Sequence, residues 1–175
     1  MYHLLVAVIA NIRYGFPARR LTVIGVTGTD GKTTTSTVLY EILKAANIKV
    51  SMISTVQAKI AGVSYDTGFH VTTPDAMAVQ SYLKKSVDAG DTHVVLEVTS
   101  HAIDQYRIWG IPFALAVITN VTHEHLDYHR DFADYLETKL KLLHSAGIVV
   151  ANYEQESLRN ALRSWAKKTI IWYGM

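Results

Sequence analysis

Residues 27–35 read Thr27-Gly28-Thr29-Asp30-Gly31-Lys32-Thr33-Thr34-Thr35. The apolar run Leu21-Thr22-Val23-Ile24-Gly25-Val26 precedes them and reads as a strand. A helical pattern follows over 33–46, with Val38, Leu39, Ile42 and Leu43 on one face. Strand, glycine-bearing loop, Lys-Thr, helix is the arrangement that holds a nucleoside triphosphate. Glycines let backbone N–H groups turn inward and approach phosphate oxygens. The helix start adds unpaired N–H groups and the positive end of its dipole. Lys32 is suited to reach the terminal phosphates, and the Thr33 hydroxyl to ligate Mg²⁺. The spacing departs from the usual phosphate loop: Gly25 and Gly31 have five residues between them instead of four, and Val26 holds the first-glycine place. A plain flexible loop is the competing reading, and the flanking strand and helix patterns weigh against it.

Outward from this stretch, strands and helices alternate. Residues 50–54 read as a strand, and 55–71, with Gly62 and Gly68, as a short hairpin or irregular loop. Asp75 is placed to cap a helix running to Ala89, where Gly90 stops it. Residues 92–98 form a nearly continuous apolar strand of the kind buried on both faces, and 113–119 another. A helix over 131–145 ends at Gly147. A strand at 148–152, a helix at 154–167 and a strand at 169–173 complete the pattern. Repeated β-α-β units predict an α/β fold, a mainly parallel sheet flanked by helices on both faces. In such sheets ligands sit at the carboxyl ends of the strands, where the motifs of this chain fall.

Composition narrows the function classes. A chain of 175 residues with 49% apolar content is long and hydrophobic enough for one domain with its own core. The formal charge of +2, from 17 basic and 15 acidic residues, gives no case for a nucleic-acid partner. The absence of cysteine excludes disulfides, zinc-thiolate sites and thiol catalysis, and fits a cytoplasmic protein. The N-terminal stretch 2–12 is apolar but too short to span a bilayer, and lacks the marks of a signal peptide. It reads as a docking helix in preference to a membrane anchor, and Pro17 with Arg19-Arg20 separates it from the first strand.

Three further features carry chemistry. The strand His93-Val94-Val95-Leu96-Glu97-Val98 ends in an acid. A carboxylate inside an apolar strand is costly without a partner. Mg²⁺ near the phosphate loop would supply one, and a salt bridge is the plainer alternative. Residues 120–129, Asn120-Val121-Thr122-His123-Glu124-His125-Leu126-Asp127-Tyr128-His129, concentrate histidines and acids in a way that suits metal ligation or phosphate contact. They lack the His-Glu-x-x-His spacing of zinc proteases. Tyr135 and Lys139 share a face of the next helix, and taken alone Lys139 reads as a solvated helix lysine.

Together these segments resemble the Mur ligases, ATP-dependent enzymes that add amino acids to the peptidoglycan precursor. Among them the chain is most similar to the MurE type, which adds the third residue. The resemblance rests on Gly-Thr-Asp-Gly-Lys-Thr-Thr-Thr at 28–35, Thr-Thr-Pro-Asp at 72–75, and Glu-Val-Thr-Ser-His at 97–101 leading to Gln105 and Arg107. It also rests on Thr119 to His129 followed by Tyr-Leu-Glu-Thr-Lys at 135–139, and it covers residues 21–173. It implies a P-loop NTPase-like central domain over 21–175 behind an apolar helix and linker at 1–20. Gly28, Thr29, Asp30, Gly31, Lys32, Thr33 and Thr34 would cradle ATP. Thr33 and Glu97 would ligate Mg²⁺, and His125 would contact a second metal. Lys139 matches the family's carbamylated lysine, so that Lys32, Glu97, His125 and Lys139 form the catalytic set. Thr72, Thr73, Thr99, Gln105 and Arg107 match positions that hold the UDP-muramoyl peptide, whose partner substrate is an amino acid. Asp30 stands where Asn is commoner, and Thr99 where Ser is commoner. The family's uridine-gripping and amino-acid-binding domains have no counterpart in these 175 residues, so a fragment or truncated product of low activity is expected. Rival readings are a folylpolyglutamate-synthase-like ligase, disfavoured because Thr99-Ser100-His101 replaces Gly-Gly-Arg, a cyanophycin-synthetase-like ligase, a P-loop kinase, and a non-catalytic nucleotide-binding module.

Overall fold

The computed structural model of the chain describes residues 2–67, 73–122 and 128–174. Its centre is an eight-stranded sheet in the order β4-β3-β2-β5-β1-β6-β7-β8. The strands are β1 (Thr22–Thr27), β2 (Val50–Ile53), β3 (Gln57–Ile60), β4 (Val63–Asp66), β5 (His93–Glu97), β6 (Phe113–Ile118), β7 (Ile148–Asn152) and β8 (Thr169–Tyr173). From β2 through β8 every pairing is parallel, which confirms the alternating reading. Among the described residues only the β2–β3 and β3–β4 pairings are antiparallel, so β3 alone runs against the other strands, in a hairpin added at the edge of β2. Ala61 and Gly62 turn it with φ of 50° and 80°, the paired positive values that a two-residue hairpin turn requires.

The helices are α1 (Tyr2–Tyr14), α2 (Lys32–Ala45), α3 (Ala76–Asp88), α4 (Ser100–Asp104), α5 (Phe132–Ser145) and α6 (Glu156–Leu162). Asp75 and Asp131 cap α3 and α5, each accepting at 2.9 Å from an N–H three residues on. The strand side chains divide between two cores. Val94 and Leu96 join the larger one, shared with Leu83, Leu142 and Leu158, while Val95 joins a smaller one with Tyr40 and Met52. The central strands are therefore buried on both faces, and both cores need helices to cover them.

Three helices differ from the sequence reading. In α2 the inward face carries Tyr40, Leu39 and Leu43, whereas Val38 and Ile42 are exposed. The apolar residues cover more of the circumference than the sheet can bury, and Tyr40 takes the central place. The N-terminal helix does dock, but through its small face: Ala7 and Ala10 close on Ala76. Leu5, Ile9 and Ile12 stay outside. The last helix is α6, which stops at Leu162 and does not extend to Lys167. Beyond it Trp165 stacks on His144 at 3.7 Å, and the Lys168 ammonium donates to the His144 carbonyl. Those contacts draw the chain back toward α5.

Candidate nucleotide site

The phosphate loop leaves the carboxyl end of β1 and enters α2 at Lys32, one residue earlier than the sequence suggests. Gly28 has φ +150°, and a Cβ there would lie 1.8 Å from the Thr119 hydroxyl oxygen. Only glycine lets β1 and the end of β6 approach this closely. Gly31 caps α2 in the left-handed region at φ 76°. Gly25, the alternative first glycine of the motif, lies inside β1 against the Phe113 ring and takes no part in the loop.

Asn120 organises the loop. Its side-chain oxygen accepts from the N–H of Asp30 at 2.8 Å and of Thr29 at 3.1 Å. Thr119 donates its hydroxyl to the Asp30 carbonyl at 2.6 Å. Two N–H groups of the motif are thus committed within the protein. The first turn of α2, whose N–H groups have no acceptor inside the helix, is the remaining candidate for an anion-facing part of the loop. Thr29 is fixed from a third side: its hydroxyl meets that of Tyr135 at 3.2 Å and accepts from Thr122 N–H at 3.0 Å. Lys32 Nζ donates to the Thr29 carbonyl at 2.6 Å.

The loop forms one wall of a cleft of about 330 Å³ that is also lined by Thr55, Glu97, Thr99, His101, Tyr135 and Lys139. Glu97 is 1% exposed. Among the described residues no ion pair involves it. Thr33 donates its hydroxyl to Glu97 Oε2 at 3.0 Å, and Thr55 N–H and hydroxyl lie at 3.4 Å from its two oxygens. This donor pair fits Mg²⁺. Neighbouring ligands of an octahedral ion with bonds of 2.0–2.1 Å stand about 2.9 Å apart, close to the separation of the two oxygens here. Among the described residues no group of three or more His, Asp or Glu side chains is arranged to hold a metal. His125, with the rest of 123–127, and Thr72 lie outside the described residues.

Lys139 is no solvated helix lysine. It is 1% exposed, and its Nζ donates to the Gly28 carbonyl at 2.8 Å and stands 4.4 Å from the Tyr135 ring centre. The one-turn spacing on α5 aims both side chains into the loop. Thr73 and Thr99 also come together: their hydroxyls are 3.3 Å apart, and Thr73 donates to the Glu97 carbonyl at 3.0 Å. Thr99 additionally caps α4, a helix absent from the sequence reading. Gln105 and Arg107 do not line the nucleotide cleft. The Arg107 guanidinium donates to the Gln105 side-chain oxygen and the Thr73 carbonyl, outside the cleft wall. Burial lowers its pKa, an effect opposed by Asp75 and Tyr128. Asn120, Thr55 and Tyr135 are the site residues whose roles sequence reasoning missed, although Asn120 and Tyr135 lie within quoted motifs.

A family model, described as the Mur ligase middle domain, matches residues 26–175. The chain belongs to the Mur ligase middle-domain family. A relative from Bacillus cereus named UDP-N-acetylmuramoyl-L-alanyl-D-glutamate–2,6-diaminopimelate ligase is 37% identical over 97% of the chain and 36% of its own length. A solved structure of a ligase of that name has 30% identity and a TM-score of 0.74, covering 87% of this chain and 32% of the other. A MurF ligase from Thermotoga maritima, solved with ADP, shares the middle-domain fold with a TM-score of 0.70 at 23% identity, over 99% of this chain and 37% of its own. The chain spans about a third of the length of these Mur ligases.

Proposed function

We propose that this chain is the nucleotide-binding part of an ATP-dependent acid–amino-acid ligase that adds the third residue to a UDP-N-acetylmuramoyl dipeptide in the cytoplasm. The observation that carries the reading is the convergence of the α2 first turn, Lys32, the Thr33–Glu97 pair and buried Lys139 on one cleft. In the reaction the substrate carboxylate attacks the γ-phosphorus and ADP leaves, giving an acyl phosphate. The amino acid's amine then attacks the acyl carbon, loses a proton and expels inorganic phosphate. Phosphoryl transfer needs positioning and charge stabilisation more than an activated nucleophile. N–H groups at the start of α2 hold the phosphates, and Lys32 exchanges the Thr29 carbonyl for the oxygens of the transferring group. Thr33 and Glu97 would hold Mg²⁺, which neutralises phosphate charge when bound. His125 is assigned to a second metal. Lys139 is assigned the carbamylated role, in which CO₂ adds to the amine with loss of a proton to leave a carboxylate. Thr72, Thr73, Thr99, Gln105 and Arg107 are assigned to the muramoyl peptide.

The test is calorimetric titration of the chain with ATP, with and without Mg²⁺. Wild type binds MgATP. Lys32→Ala loses about 10-fold or more in affinity, the worth of a charge-assisted hydrogen bond. Glu97→Gln retains ATP binding but loses its dependence on Mg²⁺. A wild-type chain that ignores MgATP, or a Glu97→Gln variant with unchanged Mg²⁺ dependence, overturns the reading. Phosphate release with the muramoyl dipeptide and a diamino acid is expected to be slow from this chain alone.

A further inference from the structure

The buried carboxylate of Glu97 is thinly served. Among the described residues it has no ion pair, and its shortest hydrogen bond, 3.0 Å, comes from the Thr33 hydroxyl. An ionised carboxylate accepts at about four lone-pair sites. The Thr33 hydroxyl is itself assigned to Mg²⁺, so the orientation of the carboxylate must be set by other donors. One residue supplies both of those in reach. The Thr55 N–H lies 3.4 Å from Oε2, and the Thr55 hydroxyl lies 3.4 Å from Oε1.

The local sequence explains why Thr55 stands there. Ile53 of β2 pairs with Leu96 of β5, so the chain leaving β2 passes the end of β5 at Glu97. Residues 54–57 then turn into β3. The Ser54 hydroxyl accepts from the N–H of Val56 at 3.3 Å and of Gln57 at 3.2 Å, and the Ser54 N–H donates to the Gln57 carbonyl at 2.9 Å. Three of the four N–H groups of the turn are spent inside it, and the fourth, that of Thr55, is left for Glu97. The hairpin braces the same residue from its other side. Gln57 pairs with Asp66 across β3 and β4, which returns Thr67 to the turn. The Thr67 hydroxyl donates to the Thr55 carbonyl at 2.9 Å, and both threonines are buried. The edge hairpin thus reaches the buried acid in two steps, Thr67 to Thr55 and Thr55 to Glu97.

We propose that Thr55 is a positioning residue for the Glu97 carboxylate, held in place by the β3–β4 hairpin through Thr67. The proposal rests on the reading of Glu97 as a Mg²⁺ ligand. Donors to both oxygens fix the plane of the carboxylate, and with it the direction in which Oε2 is presented beside the Thr33 hydroxyl. A metal ligand that loses such an outer partner binds its ion about 10- to 100-fold more weakly.

The experiment is calorimetric titration of the chain and its variants with ATP, once in Mg²⁺ and once in EDTA. The quantity read is the ratio of the two affinities, in which a general weakening of the fold cancels. Thr55→Val keeps the N–H and the shape but removes the hydroxyl, and lowers the ratio about 10-fold, the smaller end of the range because the contacts are long. Thr55→Ser keeps the wild-type ratio. Thr67→Val lowers it about 2- to 3-fold, as loss of one hydrogen bond remote from the ion should. In a Glu97→Gln background Thr55→Val changes nothing further. If Glu97→Gln keeps the wild-type ratio, the Mg²⁺ reading fails and leaves Thr55 nothing to position. If Glu97→Gln lowers the ratio and Thr55→Val does not, Glu97 stands as the ligand and the positioning role is refuted. An equal fall from Thr55→Val with and without Glu97 refutes it too, because Thr55 would then act on the ion or the nucleotide directly. A wild-type ratio in Thr67→Val refutes the brace.

Discussion

Replacing Gly28 by alanine tests how the phosphate loop is built. The added Cβ would stand 1.8 Å from the Thr119 hydroxyl oxygen and 3.3 Å from the Asn120 nitrogen. Neither neighbour yields easily. The Thr119 hydroxyl donates to the Asp30 carbonyl, and Asn120 holds two loop N–H groups. The backbone at φ +150° is also one that a side chain makes costly, at about 1–3 kcal/mol. Loss of the Thr119 hydrogen bond adds about 1 kcal/mol. The sum, about 2–4 kcal/mol, is a large share of a domain's net stability. Urea unfolding followed by intrinsic fluorescence measures it. Displacement of the loop should also reduce ATP affinity about 10-fold or more, because phosphate binding depends on position at the scale of an ångström. A double-mutant cycle with Thr119→Ala separates the causes. Removing that hydroxyl eliminates the 1.8 Å contact but leaves the backbone term and the 3.1 Å approach to the Thr119 Cβ. Gly28→Ala should therefore cost about 1 kcal/mol less in the Thr119→Ala background, beyond the 0.3–0.5 kcal/mol scatter of independent sites. Strict additivity, or wild-type stability of the single variant, refutes the close approach as the reason for glycine.

Asn120→Ala removes the acceptor of the Asp30 N–H, while the Thr29 N–H keeps the backbone carbonyl of residue 120 at 2.9 Å, and should lower the unfolding free energy by about 1 kcal/mol while weakening ATP binding, both measurable by the same two methods. Asp134 gives a pH-dependent outcome. The backbone N–H of Arg130, and then its guanidinium, hold the Asp134 pKa below the usual carboxylate range. A depressed acid adds stability above its unfolded value, and this is lost as pH falls through the folded value. Asp134→Asn should therefore be less stable than wild type at neutral pH and converge with it in acid, a trend read from urea midpoints across the acid range. A constant gap at all pH values contradicts the assigned cause.

The elements were legible where the determinants are local. Period-2 and period-3.6 patterns, the Asp75 and Asp131 caps and the stops at Gly90 and Gly147 act within a few residues. The order of strands and helices follows from them. Which face of a helix is buried is a different matter, because it depends on what lies opposite. The contact of α1 with α3 is made by Ala7, Ala10 and Ala76 with Val6 and Met77 beside them, and Leu5, Ile9 and Ile12 stay exposed. In α2, more apolar residues are present than one sheet face takes in. The end of α6 is set by Trp165 reaching back to His144, which no capping signal announces.

The site divides in the same way. Glycine, lysine and threonine around position 32 declare a phosphate loop because the chemistry is contiguous. Lys139 and Asn120 are contiguous with nothing they serve. The lysine's hydrogen bond to the Gly28 carbonyl spans 111 positions, and Asn120 meets Asp30 across 90. Both contacts exist because β1 and β6 are parallel neighbours whose carboxyl ends emerge side by side, while α5 returns beneath them. A side chain on α5 directed at that end has little choice but to meet the loop leaving β1. The burial of Lys139 is thus a consequence of topology, and its sequence signature is a distance along the chain, not a pattern. The same topology explains why Glu97 is tolerated inside an apolar strand: β5 lies on the other side of β1, and its last residue arrives where hydroxyls of Thr33 and Thr55 wait to donate. A carboxylate at position 95, two residues earlier on the same face, would replace Val95 in the apolar cluster of Val26, Met52 and Val117.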